Sequence, residues 1–366
     1  MTTPRINSGF TVGVIGTGVG IRTHAVGFQS LPGVSVVGVV GTSVDRAKSH
    51  LSSAGIDPNL ACSMEELLTR KPDLVCLTTP PGEREQYVGP LAATGSALLI
   101  EKPLATSLEI AQRIYEPLHA DRNRLVFFDT QLRGLPAFQW LRGRIQEGEL
   151  GSVYYIALRE RTSAFRKDRI ATWQEHQHTG GGQRLAMGPH LLDLGMYLAD
   201  KAYEGADLGG DSCGGTMTPR GSWAKDVQPS EDLADEAFRG LVDVDGCWID
   251  MFTTAIGVGP RIIEFDIEGT EGIARFTYRD GHGMLEVHGK SGHNKLWIVQ
   301  DGQLSDEGAP SEGFNPSLFR IAFPSYAREI VETVQGHSSG TNLATFEDGM
   351  SNTAILDDLV ARERAQ

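Results

Sequence analysis

Two residues combine the right chemistry with the right setting. Lys102 ends the apolar run "ALLIEKPLA", and His190 lies in "GGGQRLAMGPHLLDLGMY". A histidine titrates near neutral pH and can exchange a proton there. A lysine at the end of a buried strand can bond an oxygen that gains negative charge. Two such groups could move a proton to or from a substrate oxygen and steady the charge left on it. Asp193 stands three residues after His190, on the same helical face, and Tyr197 continues that face. The plainer reading makes His190 a core histidine bonded to Asp193. At Ala186, one helical turn before His190, a methyl group stands where a carboxylate would orient the imidazole. Asp193, Glu175 and His176 are the candidates to replace it.

The elements that must position these residues begin with "TVGVIGTGVGIRTHAVGFQSL". A short strand, Thr11 to Ile15, turns sharply at Gly16 and Gly18 into a helix with Ala25, Phe28 and Leu31 on its buried side. Main-chain N–H groups at such a helix start bind a pyrophosphate, so Val19, Gly20 and Ile21 join the two glycines as cofactor contacts. Ile21 fills the third fingerprint position, where a small residue is usual, and Gly20 beside it compensates. A second strand "VSVVGVVGT", a helix "VDRAKSHLSSA" and a third strand "DLVCLTTPP" follow. That alternation describes a doubly wound parallel sheet. The second strand ends without an acid, at Gly41-Thr42-Ser43, with Arg46 and Lys48 close by. Thr42, Ser43 and Arg46 therefore suit a 2′-phosphate, which favours NADP slightly over NAD. Thr78, Thr79, Pro80, Glu101 and Lys102 stand at carboxyl ends of strands, where open α/β sheets bind ligands.

Further along, "GSVYYIALRERT" reads as a strand with Arg159 and Arg161 on one side. The loop "RIATWQEHQHTGGG" offers Trp173, His176 and His178. Trp173 is equally a sugar-stacking platform or a cap on a core. The two histidines lack a third ligand at metal spacing, so no metal is expected. Arg161, Trp173 and His176 join Lys102 and His190 as candidate substrate contacts. The segment Lys201 to Ser230 is glycine-rich and polar and reads as a long loop or an irregular edge. "AFRGLVDVDGCWIDMFTTA", "RIIEFDIEGTEGIARFTY" and "MLEVHG" read as strands of a large antiparallel sheet, with Asp245-Gly246 a tight hairpin turn. Two helices end the chain. The expected fold is thus α/β: a parallel dinucleotide-binding domain at 9–130, an α+β substrate and oligomerisation domain with a mostly antiparallel open sheet at 131–340, and a helix at 341–366 packing back on the first domain.

Composition sets limits. The 366 residues suffice for two domains, and 40% hydrophobic with 22% charged residues is ordinary for a globular protein. Asp and Glu outnumber Lys and Arg, 47 to 33, for a net charge of −14. Such a surface repels nucleic acid and anionic membrane. The N-terminus has no signal-peptide core and no apolar run reaches membrane length, so the cytoplasm is expected. Four cysteines without C-x-x-C pairing read as reduced thiols.

In order and spacing, "GVIGTGVG…H", "TTPP", "LLIEKPLA" and "GGG…GPHLLD" resemble the glucose–fructose oxidoreductase / inositol dehydrogenase / MocA family over nearly the whole chain. The resemblance implies a Rossmann domain and a C-terminal α/β domain whose open sheet carries the substrate pocket and oligomer contacts. It implies NAD(P)-dependent hydride transfer at a carbinol carbon of a sugar, cyclitol or related polyol. Lys102 matches the lysine that contacts the nicotinamide ribose and substrate, with Glu101 its usual companion. His190 matches the acid/base histidine, Thr79 and Pro80 the loop over the nicotinamide half, and His24 a histidine common in the first helix. Two positions depart: Arg84 stands where many members have histidine, and Ala186 where a catalytic aspartate is usual. The second leaves two alternatives: transient sugar oxidation by a tightly held NAD(P), with elimination or hydrolysis following, and a sugar or cofactor sensor without turnover.

Overall fold

The computed structural model describes residues 9–164, 172–203, 213–217, 233–279, 281–298, 304–306 and 317–365. The chain divides into two compact units. The first comprises Met1–Ala105, Glu109–Gly134 and Ala322–Met350, and the second Thr106–Leu108, Leu135–Ile321 and Ser351–Gln366. The expected domains at 9–130, 131–340 and 341–366 are contiguous in sequence; these units are not.

The first unit holds a six-stranded sheet. Its parallel strands are β1 (Phe10–Ile15), β2 (Val34–Val40), β3 (Leu74–Leu77), β4 (Ala97–Glu101) and β5 (Val126–Asp129). Across the sheet they run β5-β4-β3-β1-β2, with a short antiparallel strand, Ala344–Thr345, beyond β5. Side chains alternate between two apolar layers. Val12, Val14, Val36, Leu74, Cys76, Leu99 and Phe127 face Ile21, Ala25, Phe28, Phe323 and Tyr326 on one side. Ile15, Val40, Val75, Leu77, Leu98, Ile100 and Phe128 face Leu67, Leu91, Ile114 and Leu118 on the other. Each such fully buried side chain contributes roughly 1.5–3 kcal/mol of apolar burial. Ala25, Phe28 and Leu31 are all buried, as their spacing requires.

The second unit is built on β6 (Val153–Arg161), β7 (Cys213–Met217), β8 (Ala237–Val244), β9 (Cys247–Thr254), β10 (Ile262–Gly269), β11 (Ile273–Arg279), β12 (His282–Gly289), β13 (Gly292–Ile298) and β14 (Leu304–Ser305). Their order is β14-β13-β12-β11-β10-β6-β9-β8-β7, every pair antiparallel except β6 with β9. The β8–β9 hairpin turns at Asp245 and Gly246, both at positive φ, the conformation an Asp-Gly pair favours. Cys213–Met217, inside the stretch read as a long loop or irregular edge, pairs with β8 as an edge strand. Most of Lys201 to Ser230 lies outside the described residues.

One face of this sheet carries half-buried Trp248 and Phe252, but ions interrupt it: Arg159–Asp266, Arg161–Glu264, Arg239–Asp250, Arg275–Asp266 and Lys295–Glu286 all pair across strands. Pairs this exposed each contribute little to stability. Cys62, Cys76 and Cys247 are buried free thiols and Cys213 an exposed one. Among the described residues, no helix is long and apolar enough to cross a membrane.

Candidate active site

In the first unit the strand order places β2 and β3 on opposite sides of β1, so connections leave in opposite directions and a crevice opens outside the carboxyl ends of β1 and β3. Gly16 has φ +121, and a Cβ on it would come within 2.4 Å of Thr78 Oγ1. A Cβ on Gly20 would meet the same oxygen at 2.2 Å and Val14 at 2.9 Å. Thr78 is held there by donating to the Ile15 carbonyl at 2.9 Å. Gly20 is thus the close-packing glycine, and Ile21, 1% exposed, belongs to the core behind it. Gly18 is different: nothing lies within 4 Å of a Cβ built on it. The chain closes up at Gly16 and Gly20 and leaves space at Gly18. A pyrophosphate approaching main-chain N–H groups needs that arrangement.

At the end of β2, Thr42 and Ser43 are exposed. Ser43 caps the following helix by accepting from the Arg46 N–H at 3.2 Å. Gly41 has no room for a side chain, since a Cβ would meet Thr17 at 2.9 Å and Ala47 at 3.2 Å. Asp45, one turn on, is the nearest acid in sequence.

Beneath the end of β4 lies a set of charges that spacing alone did not reveal. His24 Nε2 lies 2.6 Å from Asp129 Oδ2, with both side chains fully buried. Glu101, also buried, brings a carboxylate oxygen within 4.8 Å of these two. Burial and then the charge of Asp129 push the Glu101 carboxyl up to about 7, against the pull of Lys102, His24 and Arg84. Burial opposes protonation of His24, but the charge and hydrogen bond of Asp129, with Glu101's charge, outweigh it and hold the imidazole above its ordinary value. The three could ligate an ion by distance. Here the imidazole bonds Asp129 directly, and His24, Arg84 and Lys102 supply the positive charge. Asp129 was legible only as a carboxylate closing the apolar strand "LVFF".

Arg84 is 1% exposed. It donates through Nε and Nη2 to the Thr79 carbonyl, at 3.2 and 3.0 Å, and through Nη1 to the carbonyls of Glu101, Pro103 and Leu104. Burial lowers its pKa to about 10, with Glu101 and Asp129 opposing that shift.

In the second unit the glycine run sits at a helix start. Gly182, at φ +93, approaches Asp235 so closely that a Cβ would lie 2.3 Å from Oδ1. The Asp235 carboxylate accepts from the Arg184 N–H at 2.8 Å and so caps the short helix Gln183–Ala186. That helix ends at Met187, φ −119, and a second begins at Gly188 with Pro189 in its first turn. Ala186 and His190 therefore do not share one continuous helix, a correction to the simple one-turn spacing. Nor is the second helix amphipathic: every residue from Gly188 to Leu198 is buried, not only the stripe Leu191, Leu194 and Leu198.

His190 is 3% exposed, with its ring 4.7 Å from Phe319. Arg261 lies over the same Phe319 ring, 4.9 Å from its centroid, and pairs with buried Glu160 at 3.0 Å. Thr253 Oγ1 is 2.8 Å from both Glu160 and Gln183. Alternation on β6 buries Glu160 while leaving Arg159 and Arg161 outward. Asp193 accepts from Tyr203 at 3.5 Å, and Asn352 donates to Tyr203 at 3.0 Å and to the Pro189 carbonyl at 3.1 Å.

The remaining candidates are dispersed. Glu175 accepts from the Thr172 N–H and hydroxyl, at 2.7 and 3.0 Å, closing a capping box on its own turn. Trp173 is 38% exposed and His176 lies against His178, rings 5.8 Å apart. Arg161 pairs with Glu264 on the outer face of the sheet.

Set beside known proteins, residues 10–128 match the oxidoreductase family, NAD-binding Rossmann fold, and residues 142–364 the C-terminal alpha/beta domain of the same family. A glucose-fructose oxidoreductase domain-containing protein 2 of Xenopus laevis is 24% identical, over 97% of this chain and 91% of that one. A 1,5-anhydro-D-fructose reductase of Ensifer adhaerens is 32% identical over 51% of this chain and 54% of its own. A levoglucosan dehydrogenase solved with NADH and levoglucosan shares the fold, with a TM-score of 0.76, 19% identity and 98% of each chain covered. The chain belongs to the glucose–fructose oxidoreductase / inositol dehydrogenase / MocA family of oxidoreductases, with an NAD-binding Rossmann domain.

Proposed function

We propose that this chain transfers a hydride between the nicotinamide of NAD(P) and a carbinol carbon of a sugar, cyclitol or related polyol. One observation carries most of the reading: Lys102 follows β4 at the same sheet end as the glycine turn that fits a pyrophosphate. When bound, the nicotinamide supplies the hydride acceptor or donor. The chain's own residues handle the oxygen and its proton. Lys102 holds the carbinol oxygen and stabilises negative charge on it. An imidazole nitrogen of His190 takes the hydroxyl proton on oxidation and returns it on reduction. Asp193, Arg161, Trp173 and His176 stay as candidates for orienting His190 or touching substrate. The substrate class is supported by the names of relatives, whose substrates include 1,5-anhydro-D-fructose and levoglucosan.

NADP is favoured over NAD because exposed Thr42 and Ser43 stand where an acid would repel the 2′-phosphate. We also propose a homo-oligomer formed through the mixed apolar and ionic sheet face, which light scattering at micromolar concentration tests directly. For the reaction, a panel of sugars and polyols is offered with NAD and with NADP while nicotinamide absorbance is followed. Substrate-dependent change with at least one ring polyol is expected. Cofactor binding without any substrate-dependent change would overturn the reading.

A further inference from the structure

We propose that Arg84 is a positioning residue for Lys102: its guanidinium straps the loop after β3 to the loop after β4 and fixes where the lysine stands. The inference rests on the assignment of Lys102 made above.

The geometry is specific. Arg84 makes five hydrogen bonds, all to main-chain carbonyls, and none to a carboxylate. Two bonds hold Thr79, whose loop follows β3. The other three hold Glu101, Pro103 and Leu104 around the end of β4. Glu101 and Pro103 are the residues on either side of Lys102. The main chain is thus gripped before and after the lysine, while the Lys102 side chain itself stays half-exposed.

Such an arrangement is expensive. Taking a guanidinium out of water costs several kcal/mol, and an apolar side chain of similar volume would fill the space without that cost. What an apolar residue cannot do is hold four main-chain carbonyls from two loops together. A lysine cannot do it either, because its ammonium is a point charge without the planar fork. The bonds therefore fix relative loop position as well as filling space. A misplacement of about 1 Å at a reacting group costs roughly 10²-fold in rate, so a strap on the two residues flanking Lys102 acts on turnover through Lys102.

The test is a double-mutant cycle between Arg84→Gln and Lys102→Ala, with Arg84→Lys as a second variant that retains charge if Arg84→Gln does not fold. Hydrogen exchange is measured by mass spectrometry on peptides covering 78–82 and 100–105, with no substrate needed. Faster exchange in both peptides is expected, with NADH affinity changed by less than about threefold and kcat lowered about 10²-fold. In the Lys102→Ala background the Arg84 substitution should cost no further rate, because the two act as a unit. Unchanged exchange in both loops overturns the strap. Losses that multiply in the double variant overturn positioning and leave a merely structural arginine. If the wild-type chain turns over no polyol, the proposed function falls by itself. The strap is then read on exchange alone: faster exchange in both peptides of Arg84→Gln supports it, and unchanged exchange overturns it.

Discussion

His24 and Asp129 come from the first helix and the end of β5, yet their side chains meet at 2.6 Å with no exposure to solvent. Glu101 shares their space, and its carboxyl is pushed up from 4.5 to about 7 by burial and by Asp129. Through that window the folded chain holds a proton the unfolded chain releases, so stability falls as pH rises from 4.5 to about 7. His24, raised above 6.5, adds stability that is complete below 6.5 and lost as pH rises through its folded value. Glu101→Gln should therefore reduce the pH dependence of the melting temperature between 4.5 and 6, with Asp235, raised to about 6 by burial, supplying slope that remains. A melting curve series with the wild-type slope intact in that window would refute this.

Gly18 and Gly20 separate ligand space from packing space. Gly20→Ala drives a methyl against Thr78 and Val14 and should destabilise the first unit by about 1–3 kcal/mol. Gly18→Ala meets no neighbouring atom, so its melting temperature should match wild type while its NADH affinity falls. Calorimetry and cofactor titration read the two effects apart. Equal affinity in Gly18→Ala and wild type would place the pyrophosphate elsewhere.

Cofactor preference is tested at Thr42 rather than Gly41, because a side chain at 41 meets Thr17 and Ala47 before it meets any ligand. Thr42→Asp should weaken NADP by about tenfold or more, a cost of roughly 1.4 kcal/mol, and leave NAD binding unchanged or improved. Loss of NAD and NADP binding in equal measure would show that Thr42 does not face the ribose.

The residues proposed to touch the ligand stood out as candidates because backbone rules expose them. Glycines that need positive φ or close approach, and polar residues ending apolar strands, are marked by type and position. The wound sheet and the Asp245-Gly246 hairpin were legible for the same reason. Arg84, Glu160 and Asp129 were harder. Each takes its meaning from partners distant in sequence, Glu101 and Pro103 for Arg84, Thr253 and Arg261 for Glu160, and His24 for Asp129. The break at Met187 escaped because Gly188 and Pro189 are compatible with either a loosened helix or a new one. Cys213–Met217 carries two glycines and no alternating pattern, so only its neighbour β8 makes it a strand.

The buried line from Asp193 through Tyr203 and Asn352 ends on the Pro189 carbonyl, one residue before His190. Asp193→Asn should cost about 1–3 kcal/mol of stability through a weakened buried bond. It should also lower kcat by about tenfold or more, since an orienting carboxylate beside a catalytic histidine carries at least that much rate. Ala186→Asp should change kcat far less, because the helix break at Met187 separates position 186 from the imidazole's own helix. A larger gain from Ala186→Asp than loss from Asp193→Asn would reverse these roles.

Under the proposed function, Lys102 and His190 carry the chemistry. With a polyol identified by the panel, kcat and the NADH dissociation constant are measured for wild type, Lys102→Ala and His190→Ala. Each substitution should lower kcat by about 10²–10⁴-fold, the range expected for a lost general acid or base, with NADH affinity within about threefold of wild type. A His190→Ala chain that turns over at the wild-type rate would contradict the account.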